Sequence, residues 1–481
     1  MSVWALVGGV AGLNAVFLAA GYCVLSPAVR GASTRALASY AGVALLVGAG
    51  LIGAVLCVVA VAGATIGPVA LTLAAAGVAA VGLAGRRRVP LIRVEPAVQE
   101  HNAWQDALAT AACATLVAIC CFALVGGFRS SPWLDDTWTF WLPKGIALGR
   151  HGLDPRLWGG RGGHVSFVSP DYPLWWPSVT GLDVRFVGSI DLRAVNAQLA
   201  ILAIAFLGSL ARLLWGLVRP WLLWPGLLFV AASPELFRQA QGGGADLPVA
   251  FYVVLFAVAG AAWLLRGEPA ALICAFASAA AALAIKNEGL PETVLVLLVL
   301  TAAGVRVGQR RLAFLWAAFA GGLALAIPWF AWREAHDLHG DISFTRAFDP
   351  GYLADRTDRV GPALHALARH AFSPRQWLID VPLALALALA CAAWARRPLY
   401  LTPAALLVLG FALLVWVYWA DSNELAYRLS TSAYRTIDAV TVLAAASIAP
   451  LAEAFFRAGT ARSWRLRTRG AASASPSSGG G

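Results

Sequence analysis

Between Arg35 and Arg86 the chain runs without one charged side chain. No soluble helix or strand presents so long an uncharged stretch to water. It fits helices in a lipid phase, where one crossing takes about 20 mostly apolar residues. Similar runs recur as far as residue 457. Composition agrees. The chain is 60% hydrophobic and 13% charged, whereas a soluble domain is about 25% charged. Mean hydropathy is +0.72. Those values exclude a soluble enzyme, a disordered chain and a nucleic-acid binder as the default. The runs are continuous and do not alternate, which disfavours a β-barrel. The expected fold is an all-α polytopic membrane protein of about thirteen transmembrane helices.

The spans fall near 3–26, 38–62, 67–84, 106–127, 192–214, 220–232, 247–265, 269–285, 290–305, 311–332, 376–395, 399–420 and 435–457. If they alternate, the arginine clusters at 86–88, 306–311, 396–397 and 462–469 share one side. The positive-inside rule makes that side cytoplasmic, with the N-terminus outside and the C-terminus inside. The net charge of +11 then reports topology and not an acidic partner. The first run lacks a basic lead and an A-x-A site, so it is expected to be a true span and not a signal peptide. Three spans and a basic loop (1–105) precede the module 106–457, and a basic, then Ser/Gly-rich cytoplasmic tail (458–481) follows. The end of that tail is expected to be irregular.

All seven cysteines lie in apolar runs without a CxxC spacing and read as small packing residues. The seven histidines lie in loops or at helix ends, which argues against a haem-b electron carrier. Function is expected on the outer side. Two long loops, 128–191 and 333–375, and shorter ones at 233–246, 286–289 and 421–434 face outward, and 20 of the 25 acidic residues fall on that side. Long polar and aromatic loops on a rigid scaffold are where chemistry concentrates.

Asp135 and Asp136 directly follow a span, among Trp133, Trp138, Phe140 and Trp141. A carboxylate beside apolar surface suits a general base; a helix cap beside an interfacial aromatic belt is the plainer reading. If helical, Asp136, Phe140 and Lys144 share a face, although Pro143 could open a second helix. Further on, His164, Asp171, Tyr172, Trp175 and Trp176 lie in a proline-stiffened segment. Stacked aromatics with one carboxylate suit sugar binding, and interface anchoring equally. Glycines 242–244 precede Asp246, which reads as a helix cap or a site residue. Lys286 and Glu288 lie at the outer end of an apolar span, and Lys286 could pair with Glu288 or Asp246. Arg435 opens the last span; its planar fork suits a phosphate, or a helix-end salt bridge. Lys144 and Lys286 are the chain's only lysines.

Carboxylates and cations at a lipid–water boundary suit one reaction: a base deprotonates an acceptor hydroxyl while cations stabilise a departing phosphate. Four patches resemble the GT-C superfamily of polyprenyl-phosphate-sugar-dependent glycosyltransferases, especially bacterial relatives of the aminoarabinose transferases and protein O-mannosyltransferases. Asp-Asp-Thr-Trp-Thr-Phe-Trp-Leu-Pro-Lys (135–144) is similar to the acidic motif of that family's first outer loop. Ser-Pro-Asp-Tyr-Pro-Leu (169–174) is similar to its Tyr-Pro motif. Ala-Asp-Leu-Pro-Val-Ala-Phe (245–251) and Lys-Asn-Glu-Gly (286–289) resemble motifs at the outer ends of middle spans, and Thr-Ser-Ala-Tyr-Arg (431–435) resembles a late Arg motif.

The resemblance implies an inverting enzyme of the bacterial cytoplasmic membrane whose active site faces outward. Asp136, or second Asp135, acts as base; Lys144, Lys286 and Arg435 hold the donor phosphate; His164, Asp171, Tyr172, Asp246 and Glu288 contact substrate. The implied partners are a polyprenyl-phosphate sugar donor, a glycan, lipid or protein acceptor and membrane lipids, with no nucleic acid. No cofactor is expected beyond one divalent cation that Asp135, Asp136 and Asp171 could share. The chain departs from the pattern in its three leading spans. The alternative is a multi-pass transporter or lipid flippase, which would bind near the midplane through broken helices.

Overall fold

The computed structural model describes residues 2–86, 103–158, 167–305, 308–338, 340, 344–395 and 401–473. His164 lies outside the described residues. The principal helices are α1 (Val3–Leu25), α2 (Ala41–Val61), α3 (Pro68–Gly85), α4 (Ala103–Val125), α5 (Leu142–His151), α6 (Trp175–Val187), α7 (Arg193–Leu214), α8 (Pro220–Ala232), α9 (Asp246–Arg266), α10 (Pro269–Ile285), α11 (Gly289–Gly304), α12 (Gln309–Ala335), α13 (Val360–Ala371), α14 (Asp380–Ala395), α15 (Thr402–Ala420), α16 (Leu425–Thr436) and α17 (Asp438–Ser473). No β-strand forms among the described residues.

Nine helical stretches among the described residues are long and apolar enough to cross a membrane: α1, α2, α3, α4, α7, α9, α12, α15, and α16 with α17 taken together. Helices α8, α10, α11 and α14 are apolar but shorter. The fold is therefore an α-helical polytopic one. Large apolar side chains such as Leu73, Val81, Ile119 and Phe122 remain exposed along α3 and α4. That costs nothing where the surrounding phase is lipid.

The three N-terminal helices are built into the bundle. Helix α2 packs against α1, α7, α10 and α12, and most of its residues are buried. Without a hydrophobic drive between helices in lipid, small residues set how closely two backbones approach. Here a Cβ on Gly21 would lie 1.7 Å from the Ala44 carbonyl oxygen, and one on Gly48 1.8 Å from that of Phe17. Only glycine fits at either crossing. Trp175 Nε1 donates to the Ala49 oxygen at 3.1 Å, fixing α6 to the middle of α2.

The structure bears on two points of the sequence reading, the tail and the alternatives left open for Asp246. Helix α17 continues to Ser473, so the backbone is helical over the first three residues of the 471–481 segment read as irregular; Ala471 and Ala472 are strong helix formers. Asp246 is the first helical residue of α9 and makes no capping bond, because its carboxylate is engaged across the bundle.

At one end of the bundle Glu268 closes a compact tie. Tyr40 Oη donates to its Oε1 at 2.6 Å, Arg212 donates to the same oxygen at 2.9 Å, and Arg266 pairs with Oε2 at 2.8 Å. Both carboxylate oxygens are satisfied there. The opposite ends of α9 and α10 carry a second charged group of a different character.

Candidate functional site

Helices α9 and α10 run antiparallel, which sets Asp246 at the start of one beside Lys286 at the end of the other. Lys286 Nζ lies 2.8 Å from Asp246 Oδ1 and 3.0 Å from Glu288 Oε1. Arg435, at the end of α16, pairs with Asp136 and lies 3.8 Å from the second oxygen of Asp246. The result is one continuous chain: Asp136, Arg435, Asp246, Lys286, Glu288. These five residues come from four separate parts of the sequence. Burial opposes the charge on Lys286, but Asp246 and Glu288 outweigh it and hold the ammonium protonated above the usual lysine range.

The site is not fully satisfied. Glu288 Oε2 and Glu292 Oε2 are buried without a hydrogen-bond partner. Asp438, one turn past Arg435, is buried with both oxygens unpartnered. Such atoms are costly and rare in native structures. Asp246, Lys286, Glu288, Glu292 and Arg435 line a common cavity of about 10 Å³, room for about one water. The contrast with Glu268 is chemical: one carboxylate cluster is closed on itself, the other keeps acceptors free.

The acidic loop is held by its backbone. Leu134 N donates to the Gly242 oxygen at 3.3 Å, Thr137 Oγ1 to the same oxygen at 2.8 Å, and Trp176 Nε1 to that of Gly243 at 3.0 Å. Thr137–Trp141 form a π-helical turn, a wide turn that recurs at functional sites. Pro143 then lies at the start of α5, where a missing N–H costs nothing. Asp136 stays 29% exposed at its side chain. Asp135 points to solvent. Arg238, which the sequence reading did not select, stacks between Trp133 (4.5 Å) and Tyr434 (4.4 Å). It ties the acidic loop to α16, beside Arg435. The aromatic cluster at 133–141 was the available signal for such a cation partner.

Gly243 has a left-handed φ of +79°, and a Cβ there would lie 2.7 Å from Thr137. We therefore expect Gly243→Ala to destabilise the protein by about 1–3 kcal/mol and to displace Asp136. Thermal unfolding in detergent checks this. Gly361→Ala, where a Cβ meets nothing within 4 Å, is the neutral control.

Lys144 is placed differently from the two other cations. It is wholly buried, donates to the Ser169 oxygen, and lies 4.9 Å from the Phe140 ring centroid. It is not brought to Lys286 or Arg435. Burial pushes its ammonium down to about 7, against a partial upward pull from Asp171. Asp171 accepts from Asn287 Nδ2 at 2.6 Å, and Arg333 donates to Asn287 Oδ1 at 3.3 Å. Burial raises the Asp171 carboxyl. Tyr172 bridges the two groups, its ring centroid 5.5 Å from Lys286 Nζ. Asn287 lies inside the 286–289 patch but was given no role of its own, and Arg333 was missed in the sequence, where it does not stand out from its neighbours.

The Lys144 shift has a testable sign. Between pH 7 and the ordinary value of 10.5, the unfolded chain binds a proton that the fold rejects. Stability therefore rises with pH across that window. Thermal unfolding in detergent should show this rise in the native protein and lose it in Lys144→Met.

Among the described residues no three of His, Cys, Asp and Glu are grouped to hold a metal ion. The chain matches no family model, no curated protein and no solved structure.

Proposed function

We propose that the chain is an integral membrane glycosyltransferase that moves a sugar from a polyprenyl-phosphate donor to an extracytoplasmic acceptor. The observation that carries this is the convergence of Asp136, Arg435, Asp246, Lys286 and Glu288 at one end of the bundle. The donor phosphate takes the place of the Asp136 carboxylate on Arg435 and draws on Lys286. A phosphate and a carboxylate compete for the same guanidinium fork. Displaced, Asp136 accepts the proton of the acceptor hydroxyl. That oxygen attacks the anomeric carbon, the carbon–oxygen bond to phosphate breaks, and polyprenyl phosphate leaves with the electron pair. Inversion follows from the single displacement. Glu288 and Glu292, each with a free oxygen, accept sugar hydroxyl hydrogen bonds.

In this reading the four shorter apolar helices also cross the membrane. The site end faces outward, in the bacterial cytoplasmic membrane, and the C-terminus is cytoplasmic. Alternation of the spans along the sequence puts the arginine clusters on the side away from the acidic loops, and the positive-inside rule makes the side of the clusters cytoplasmic.

The test incubates the purified full chain with a panel of radiolabelled polyprenyl-phosphate sugars and a cell-envelope extract. Label transferred to acceptor by the native protein supports the reading and names the donor. No transfer from any donor by folded protein, with substrate flux in proteoliposomes instead, identifies a transporter and overturns it.

A further inference from the structure

Helices α5 and α6 cross where only glycine fits: a Cβ on Gly145 would lie 2.5 Å from the Pro177 oxygen, and one on Gly181 2.4 Å from that of Gly145. The residues around this crossing and those just after α6 line a cavity of about 230 Å³. Its walls include two guanidinium groups, Arg150 and Arg185, beside Ser189, with Ile146, Val184 and Ile190. No carboxylate lines it.

Other arginines of the chain are neutralised by a carboxylate. Arg156, Arg193, Arg212, Arg219, Arg238 and Arg435 each have a carboxylate partner. Among the described residues Arg150 and Arg185 have none. Arg185 gives one N–H to the Gly149 oxygen at 2.8 Å, which aims its fork along the cavity wall. Asp183, on the same helix, is buried and is not part of the lining. Both arginines are exposed residues on the wall of one cavity, where an anion would meet two positive charges. Planar forks with bidentate reach select phosphate. Ile190 is 56% exposed, so one side of the cavity is apolar and open.

We infer that the cavity between α5 and α6 binds a phosphate group, held by Arg150 and Arg185, on a ligand whose apolar part lies against Ile146, Val184 and Ile190. It is separate from the Arg435–Lys286 group and does not depend on the transferase reading.

The test uses the full chain in non-ionic detergent. Native mass spectrometry counts bound short-chain phosphatidylglycerol, with glycerol phosphate as competitor. The variants are R150Q/R185Q, R150K/R185K and, as an exposed control, R310Q. We expect R150Q/R185Q to bind the lipid more weakly by about tenfold per arginine removed. R150K/R185K keeps part of the affinity, and R310Q keeps all of it. If the double variant fails to fold, Arg150→Gln alone carries the test, because that side chain bonds to nothing else among the described residues. Binding that glycerol phosphate cannot displace marks a lipid headgroup as the source. Displacement at comparable concentration marks a water-soluble phosphate. Either outcome supports the site. Equal lipid binding by native protein and R150Q/R185Q, or equal loss in R310Q, overturns it.

Discussion

Asp136→Asn should lower sugar transfer by about a hundred- to ten-thousand-fold, the usual contribution of a positioned general base. It should leave the amount of folded protein unchanged. The Asp136 side chain is 29% exposed and its ion partner is Arg435. Arg435 keeps a second carboxylate, Asp246, at 3.8 Å, so a large loss of rate with little change in stability separates chemistry from folding. Asp135→Asn is the companion. Its carboxylate faces solvent, and transfer should change little. Initial rates of label transfer at saturating donor, beside a detergent unfolding curve, measure both effects. Transfer that survives Asp136→Asn and Asp135→Asn together would remove the acidic loop from the mechanism.

The second large effect is on stability. Lys286 lies within 3.0 Å of both Asp246 and Glu288. Lys286→Met leaves those carboxylates facing one another in a buried site, and breaking a buried pair costs about 3–5 kcal/mol. Asp246→Asn alone should also destabilise, since it strands part of the charge on Lys286 and Arg435. The double variant Lys286→Met/Asp246→Asn should recover part of the loss. That coupling, of about 1–3 kcal/mol for directly contacting residues, is the signature of a real pair. Denaturant unfolding in mixed micelles measures the three variants against the native chain. Strict additivity would show that Lys286 and Asp246 do not act on each other.

The apolar helices were legible because lipid imposes a strong composition signal. The run between Arg35 and Arg86 has no soluble alternative. Their packing was not legible. Nothing in the sequence of α2 distinguishes it from α1 or α3, yet α2 lies at the centre and α3 at the edge. The difference rests on where Gly21 and Gly48 meet a neighbour, which is a property of pairs and not of one helix. For the site, the alternation of spans sent Asp136, Asp246, Lys286, Glu288 and Arg435 to one side, and the fold brings them within reach of each other. Which cation meets which carboxylate was invisible. Lys144 and Lys286 look alike in sequence, but the π-helical turn at Thr137–Trp141 rotates Lys144 toward Ser169. Glu292 and Asp438 were passed over as parts of apolar spans. An acidic residue inside such a span is itself a signal, because burying it is expensive unless it is used.

Equilibrium binding of radiolabelled polyprenyl phosphate to the purified chain tests the central claim most directly, because it asks whether the charged chain at the end of α9 and α10 is a phosphate site. The native protein should bind it. Arg435→Gln should bind it at least about tenfold more weakly, and Asp136→Asn should bind it more tightly, since the competing carboxylate is gone. Equal binding by all three folded proteins would contradict the account.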